Sequence, residues 1–390
     1  MRRTLYAIGR VVLIALAVSA AVLTSCAHGQ QSATSTASKD AADWLTQRMD
    51  DLSTRSGPAD PFWFGGGRWH VGDDSCSRCL LGPTVVAAAL VHRDPDGHAD
   101  LRDRAAAATD TFIATRQRAD GSFPANDATG SSVGVNTMFV GEQLATIGVL
   151  LGPHVDAARR ARWNRAVGAA ADALLRAKDP QWYANGNINL GYTLVLGLAA
   201  RLTGRADLRR AYEASWDFVL APPAPKWRGY GLRYRRVPSR SDGADGAGYL
   251  TEAGGGGVGF DPHYAQLQAD VATRLWLTLG DRRALRLVNL LNGMLLPRLN
   301  EVSWMLDTSS GTRNTRRGMS FPFITASLAA GRTGCDGDTA EQVPAQVARL
   351  EHWFDANLDP HSLYDNGSWA FYLGESAANF VLLPERSACS

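Results

Sequence analysis

Two stretches of the chain share one pattern: an apolar helix, a glycine and a second, amphipathic helix. They read TLVLGLAARLTGRADLRRAYEASWDFVLA and LQADVATRLWLTLGDRRALRLVNLLNGMLL, and Gly280 stands 76 residues after Gly204. A glycine just past a helix end is the usual C-terminal cap, and Asp281 is suited to open the next helix. The pattern predicts antiparallel helical pairs.

Two earlier pairs have the same pattern, with their turns near HRDPDGHADL and LLGPHVDAARR. Spacings of about 50–75 residues are too irregular for a strict solenoid and favour an (α/α) toroid. No Pro/Gly/Ser linker divides residues 42–390. We therefore expect one all-α domain, an incomplete barrel of helical hairpins with long loops at one mouth.

Residues 1–25 are typical of a signal peptide, because three arginines precede or flank a 13-residue apolar run that is short for a membrane span. The stretch LTSC resembles the lipobox of bacterial lipoproteins, which implies cleavage before Cys26 and lipid on its thiol. Residues 26–41 form a polar, flexible tether. We expect an exported protein anchored to the outer face of the cell membrane. An ordinary secretory signal is the alternative.

The charge and motif content exclude several classes of partner. Loss of residues 1–25 removes three arginines and brings the formal charge from +2 to −1. The absence of a basic or acidic excess argues against a nucleic-acid partner. GGGGVG lacks the Lys-Ser/Thr of a P-loop. We expect a monomer without a nucleotide site.

Four cysteines follow the lipobox cysteine: Cys76, Cys79, Cys335 and Cys389. An even number in an exported chain predicts two disulfides, and three pairings are open. SCSRC also fits a redox CxxC or half a zinc site. No second CxxC or histidine pair completes a zinc site, and no thioredoxin-like βαβ pattern surrounds the motif. Structural bridges are the favoured interpretation.

Long connections rich in Gly, Asn, Asp and aromatic residues lead into successive helices. They include RADGSFPANDATGSSVGVNTMF, DPQWYANGNINLGY, DGADGAGYLTEAGGGGVGFDPHYAQLQ, WMLDTSSGTRNTRRGMSF and LYDNGSWAFYLGE. If hairpins alternate outer and inner helices, all five emerge at one mouth. Aromatic rings with amides and carboxylates suit a sugar, so we expect Trp182, Trp227, Trp369, Glu252 and Asp245 to contact a polysaccharide or cell-wall glycan. RGYGLRYRRVPS adds a predicted short hairpin.

The chain resembles the (α/α)-toroid polysaccharide lyases, the group of chondroitin, hyaluronate, alginate and heparin lyases. The resemblance covers about residues 80–380 and rests on the order of three weakly specific motifs, NGNINLGY, DGAGYLTEAGGGGVGFDPHY and SSGTRN. It implies a catalytic Tyr264 with His263, and Asn189, Asn187 and Arg313 around a uronate carboxylate. Family members commonly carry a histidine some residues ahead of the tyrosine, whereas His263 directly adjoins Tyr264.

The chemistry of such a site is elimination from a uronic acid. Hydrogen-bond donors must neutralise the carboxylate before a base removes the adjacent, weakly acidic proton. An acid then protonates the departing oxygen, and one tyrosine near an arginine or histidine can serve both steps. Helix N-termini at the mouth would add positive potential for an anionic substrate. No metal or cofactor is required, although a calcium ion held by loop carboxylates is compatible.

Each candidate also has a structural interpretation. Asp261 before Pro262 is a simple helix N-cap. Tyr264 then lies in the first turn, where it would anchor the core beside Leu267. Asparagines near a helix start cap it or satisfy a turn. Arg313 would belong to a solvated basic loop, and His263 to the surface.

Two other functions remain open. A glycoside hydrolase on the same scaffold needs two carboxylates about 5–10 Å apart. The candidates for that pair are Asp245, Glu252, Asp261, Asp120, Asp127, Glu142 and Asp365. The other function is that of a non-catalytic surface lipoprotein that binds glycan.

Overall fold

The computed structural model describes residues 77–125, 132–177, 185–221, 231–254, 257–300, 306–313, 319–320, 325–333, 375–376 and 378–384. Nine helices have assigned bounds: α1 (Ser77–Arg93), α2 (Ala99–Arg116), α3 (Val133–Leu150), α4 (Ala157–Ala177), α5 (Gly186–Thr203), α6 (Ala206–Leu220), α7 (Pro262–Leu279), α8 (Arg282–Leu295) and α9 (Thr325–Ala330). Short 3-10 turns span Gly152–His154 and Leu296–Arg298.

The first eight helices form four hairpins of one inner and one outer helix. The inner helices α3 and α5 are buried along almost their whole length, whereas the outer helices α4 and α6 bury one face. Helix α1 packs against α3, α3 against α5, and α5 against α7. Trp163 of α4 and Trp216 of α6 are fully buried. The expected all-α toroid of helical hairpins is therefore confirmed.

The hairpin turns contain the caps that the repeated pattern predicts. Gly204 and Gly280 end α5 and α7 in the left-handed conformation, with φ of 68° and 67°. The Asp281 side chain accepts a hydrogen bond from the backbone N–H of Arg283 at the start of α8. Glycine adopts this conformation without the steric cost that a Cβ brings.

The C-terminal helical residues 375–376 and 378–382 close the ring between α7 and α1. On one side, Arg274 of α7 forms a buried ion pair with Glu375, with 2.9 Å between Nη1 and Oε2. Asn379 donates to the Asp270 carboxylate of the same helix at 2.9 Å. On the other side, Arg93 of α1 donates to the carbonyl oxygens of Val381 and Leu383.

Three small antiparallel sheets lie in the connections. Strand β1 (Leu232–Arg236) pairs with β2 (Ala247–Leu250), β3 (Glu252–Gly254) with β4 (Gly257–Gly259), and β5 (Leu306–Asp307) with β6 (Met319–Ser320). The stretch RGYGLRYRRVPS, predicted to form a hairpin by itself, contributes only β1 within the described residues, and the partner strand β2 lies in the stretch that leads to α7. In the glycine-rich segment, the described residues of β3 and β4 pair from Glu252 with Gly259 to Gly254 with Gly257.

Among the described helices, α3 has the length and hydropathy of a membrane span, but 83% of that window is buried inside the protein. It is the core helix of the toroid. Cys26, Cys76, Cys335 and Cys389 lie outside the described residues, and Cys79 is described only as part of the α1 backbone. The lipid anchor and the disulfides therefore stay predictions.

Candidate active site

The N-terminus of α7 is fixed by Asp261. Its Oδ1 accepts a hydrogen bond from the backbone N–H of Tyr264 at 3.1 Å, and Pro262 occupies the first helical position. Its Oδ2 accepts from the backbone N–H of Arg313 at 2.6 Å. The N-cap interpretation is confirmed. The Asp261 carboxylate therefore joins the start of α7 to Arg313, which lies 52 residues further along the chain. This brings the backbone of Tyr264 close to the backbone of Arg313.

Glu252 is fully buried beside this cap, at the start of β3. Its Oε1 accepts hydrogen bonds from the backbone N–H of Asn187 and from Nε2 of Gln268, both at 2.9 Å. Its Oε2 lies 3.3 Å from Nη1 of Arg313. Burial raises the pKa of Glu252 to about 7, although these donors and the arginine charge lower it in part. Near neutral pH the acid and carboxylate forms therefore coexist.

Arg313 connects Glu252 to Tyr264. Its guanidinium carbon lies 4.1 Å from the centroid of the Tyr264 ring, a cation–π contact that fixes the two planes relative to each other. About one third of its side chain is exposed. A Cβ on Gly254 would lie 2.5 Å from the Cα of Arg313. The glycine therefore lets the 306–313 segment approach β3 closely.

Tyr264 and His263 are both partly exposed at the start of α7. Their rings meet edge to face with 5.3 Å between centroids. Nδ1 of His263 lies 3.5 Å from Nε2 of Gln266. Tyr264 lies in the first turn, as expected, but its ring faces Arg313 rather than serving only as a core anchor.

The asparagine-rich segment at the start of α5 packs beside β3 and forms the next part of the site. Asn185 occupies the N-cap position without a side-chain cap bond, and its Oδ1 accepts instead from the backbone N–H of Ala253. Asn187 is 5% exposed, and no donor in the described part of the chain reaches its Oδ1. Asn189 is also buried. Asn185 and Asn187 thus connect α5 to β3, and the amide oxygen of Asn187 is left for another donor.

The structure brings together five of the predicted residues, namely Tyr264, His263, Arg313, Glu252 and Asn187. Asn189 lies two residues further along α5, in the same first turn, and side chains two residues apart do not share a helix face. Asp245 lies elsewhere, in the turn of the β1–β2 hairpin, where its oxygens accept from the backbone N–H groups of Ser239 and Arg240 and from the Ser239 hydroxyl. These donors hold its pKa at about 2. Its substrate contact stays a prediction.

Other predicted residues are outside the cluster or outside the described residues. Trp182, Trp227, Trp369, Asp127 and Asp365 belong to the latter group. Asp120 is exposed and accepts from the Ser122 backbone and hydroxyl. Glu142 is buried on α3, where its Oε2 lies 3.1 Å from the place that a Cβ on Gly191 would take.

Two residues of the site have no counterpart among the sequence predictions. Gln268 donates to Glu252 and exchanges hydrogen bonds with the backbone of Leu250. The Thr312 hydroxyl donates to the carbonyl oxygen of Glu252. The position of Gln268 one helical turn after Tyr264 is a signal in the sequence, because residues four apart share a helix face.

A separate pocket of about 640 Å³ opens at the other end of the toroid. There the Tyr212 hydroxyl donates to Asp281, and Arg283 pairs with both Asp281 and Glu213. These charges are matched to one another between the middle of α6 and the start of α8. Within the described residues no cluster of three or more His, Cys, Asp or Glu side chains is arranged to hold a metal ion.

Comparison with solved structures gives similarities at low sequence identity, two of which are described here. No protein-family model matches the chain, and the curated proteins contain no match at a significant level. The structure of an unsaturated glucuronyl hydrolase from Streptococcus agalactiae is similar over 88% of this chain and 91% of that chain, with 12% identity and a TM-score of 0.45. A variant of that enzyme complexed with dGlcA-GalNAc6S has 13% identity, the same coverage and a TM-score of 0.46. Neither similarity assigns an activity or a residue role to this chain.

Proposed function

We propose that this protein is a polysaccharide lyase that cleaves uronate-containing glycan by β-elimination at the mouth of the toroid. The observation that carries the proposal is the position of Arg313, whose guanidinium covers the Tyr264 ring while its Nη1 lies 3.3 Å from Glu252. The Arg313 cation and the Tyr264 phenol, which can transfer a proton, thus lie side by side, and both are partly exposed. A carboxylate bound to the cation would have its acidic C–H beside the phenol.

The reaction needs only groups of this cluster. Arg313 pairs with the uronate carboxylate, and the unpartnered Oδ1 of Asn187 is an acceptor for a substrate hydroxyl. Tyr264, as phenolate, removes the proton at C5, and the resulting charge spreads onto the neutralised carboxylate. The bond from C4 to the glycosidic oxygen then breaks, a C4–C5 double bond forms, and the proton passes to the departing oxygen. No water is consumed.

Glu252 has a positioning role in this scheme. Its carboxyl is fully buried and its contacts orient Arg313. Because burial keeps its pKa at about 7, the neutral acid is populated near neutral pH. In that form it holds the guanidinium without cancelling its charge, so the arginine stays available to a substrate carboxylate.

A second candidate function, glycoside hydrolysis, is favoured by that same pKa of Glu252. A carboxyl group with a pKa of about 7 suits a general acid. Against this assignment, Glu252 and Asp261 are both buried and their oxygens hold the local structure. In this scheme Glu252 acts on the glycosidic oxygen and a water is added across the bond.

The distinguishing experiment compares Tyr264→Phe with Glu252→Gln on uronate-containing and neutral glycans. Products are followed by ultraviolet absorbance of the double bond and by release of reducing ends. For a lyase, Tyr264→Phe abolishes both signals and Glu252→Gln retains elimination at a reduced rate. Tyr212→Phe is the matched control, because it removes a hydroxyl with a known partner far from the site. Reducing ends without absorbance, lost in Glu252→Gln, would instead establish the hydrolase.

Export and anchoring are a separate part of the proposal, supported by the signal-like N-terminus and the lipobox cysteine. We expect the mature chain to carry lipid on Cys26 and to remain with the membrane fraction. Labelling with a fatty acid in the native host would detect the lipid, and Cys26→Ser should release the protein. Equal labelling of Cys26→Ser would overturn lipidation at this residue.

A further inference from the structure

We propose that the outer face of the β1–β2 hairpin, together with Arg298, is a second binding surface that holds an acidic glycan chain as it leaves the catalytic cluster. This platform deepens the proposed function and rests on it for the identity of the chain. It consists of Arg233, Arg235, Tyr249, Phe260 and Arg298.

Strand β1 is unusually basic and exposed for a strand. Its sequence is LRYRR, and the four residues after Leu232 are all exposed. Tyr234 is 41% and the following Val237 is 73% exposed. Within the described residues β1 pairs only with β2, so its other edge carries backbone groups without a strand partner. The formal charge of the mature chain is near zero, so this concentration of arginine is local.

Arginines and aromatic rings alternate across the platform. Arg233 stands opposite Tyr249 in the strand register, and Tyr249 meets Phe260 edge to face with 5.2 Å between centroids. The guanidinium of Arg298 lies 4.5 Å from the Phe260 centroid. Aromatic faces stack on the apolar faces of sugars, and guanidinium groups pair with carboxylate or sulfate groups.

Two cations of the platform, Arg235 and Arg298, lie close enough for the charge of one to act on the other. Burial lowers the pKa of Arg298, the charge of Arg235 lowers it further, and Asp307 opposes both effects. Within the described residues Asp307 is the acid that acts on Arg298, so positive charge is in excess. An anionic group bound between Arg235 and Arg298 would relieve their repulsion.

The platform begins at the catalytic cluster and leads away from it. Phe260 directly precedes the α7 cap, and β2 ends two residues before Glu252. The hairpin lies along α8, where a Cβ on Gly293 would clash with the Gly246 carbonyl at 2.2 Å and Asn289 donates to the Asp242 carbonyl. A five-residue strand spans about 16 Å, long enough for more than one sugar. This continuity favours the glycan over an anionic membrane as the occupant.

The test measures binding and cleavage separately, on the mature chain with Cys26→Ser in every variant, so that no lipid anchor contributes to vesicle binding. The variants are Arg235→Gln and the double Arg233→Gln/Arg235→Gln, with exposed Arg209→Gln at the other end of the toroid as the control. Binding probes are heparin and polygalacturonate, with neutral dextran and phosphatidylglycerol vesicles alongside. We expect the double variant to bind the acidic polymers on the order of tenfold more weakly at low salt, with Arg209→Gln unchanged.

Cleavage separates this inference from the proposed function. The double variant should show a raised KM on long polymer and an unchanged kcat/KM on a short oligosaccharide that reaches only the cluster. Wild-type affinity of the double variant for acidic polymer would overturn the platform, as would loss of vesicle binding alone. Loss of polymer binding in a protein that releases no unsaturated product would leave the platform standing and overturn the lyase.

Discussion

Arg313 and Glu252 form an ion pair in which the acid is fully buried and the arginine is partly exposed, with 3.3 Å between Nη1 and Oε2. Glu252 also accepts hydrogen bonds from the backbone N–H of Asn187 and from the side-chain amide of Gln268. The pair therefore joins β3, α5, α7 and the 306–313 segment at one point. It sets the direction in which the guanidinium faces Tyr264.

Gly254→Ala tests whether activity depends on the position of Arg313 rather than on the stability of the whole fold. A Cβ at this position would approach the Cα of Arg313 to 2.5 Å, so the 306–313 segment must move. We expect a loss of kcat/KM of about tenfold or more and a stability cost of roughly 1–3 kcal/mol. Gly204→Ala is the control, because its φ of 68° strains an alanine while the added Cβ would meet nothing within 4 Å. That control should cost about 1 kcal/mol and no activity. Equal activity in both variants would contradict the role of the close approach.

Affinity for a uronate product should fall as the pH rises through the pKa of Glu252. Above about pH 7 the carboxylate is ionised and neutralises Arg313, so a substrate carboxylate gains less from the guanidinium. Calorimetric Kd values should increase by roughly three- to tenfold from pH 6 to pH 8. Glu252→Gln, which cannot ionise, should flatten this profile. A profile with the same slope in Glu252→Gln would show that another group titrates.

Folding stability should be higher in mildly acidic solution than in alkaline solution. Burial raises the pKa of Asp270 from 3.8 to about 7, so the folded state binds a proton that the unfolded state has already released. The stability present below the unfolded pKa is lost as the pH rises towards 7. At about 1.4 kcal/mol for each pKa unit, the loss is roughly 4 kcal/mol at most.

Urea unfolding at pH 5 and at pH 8 checks this dependence. Asp270→Asn should reduce the difference between the two free energies of unfolding, since the amide does not ionise. A difference that stays the same in Asp270→Asn would assign the pH dependence to other groups.

Arg274→Met should weaken the closure of the ring. The substitution leaves Glu375 buried without its cation and removes the donors to Asn379 and the Glu375 carbonyl. Breaking one partner of a buried pair costs about 3–5 kcal/mol. Exposed Arg162→Met, which removes a surface contact with Asp110, should cost less than about 1 kcal/mol. If Arg274→Met lowers the free energy of unfolding no more than Arg162→Met does, the buried Arg274–Glu375 pair does not hold the ring closed.

The local features of the fold were predictable, whereas its closure was not. Gly204, Gly280 and Asp281 act within a few residues of their own position, so helix ends and hairpins follow from the sequence pattern. The contacts of Arg93 with Val381 and Leu383 join residues almost 290 apart. Neither periodicity nor capping specifies which helix meets which across such a distance.

In the site, too, the local features were predictable from the sequence, whereas the long-range contacts were not. The Asp261–Pro262 cap is a local signal, and motif order placed Tyr264, Asn187 and Arg313 in one site. The complete burial of Glu252, and hence its raised pKa, depends on β3, α5 and α7 together. Asp245 illustrates the opposite case, because its carboxylate is bound by backbone groups only five and six residues away in its own turn.

The central claim is elimination without water, and the most direct measurement is mass spectrometry of the products formed in water labelled with heavy oxygen. A uronate-containing glycan is incubated with the wild-type protein and with Tyr264→Phe. For elimination, the wild-type product is lighter by one water than the hydrolysis product and contains no labelled oxygen. Tyr264→Phe gives no product. Products that carry one labelled oxygen and no double bond would contradict elimination.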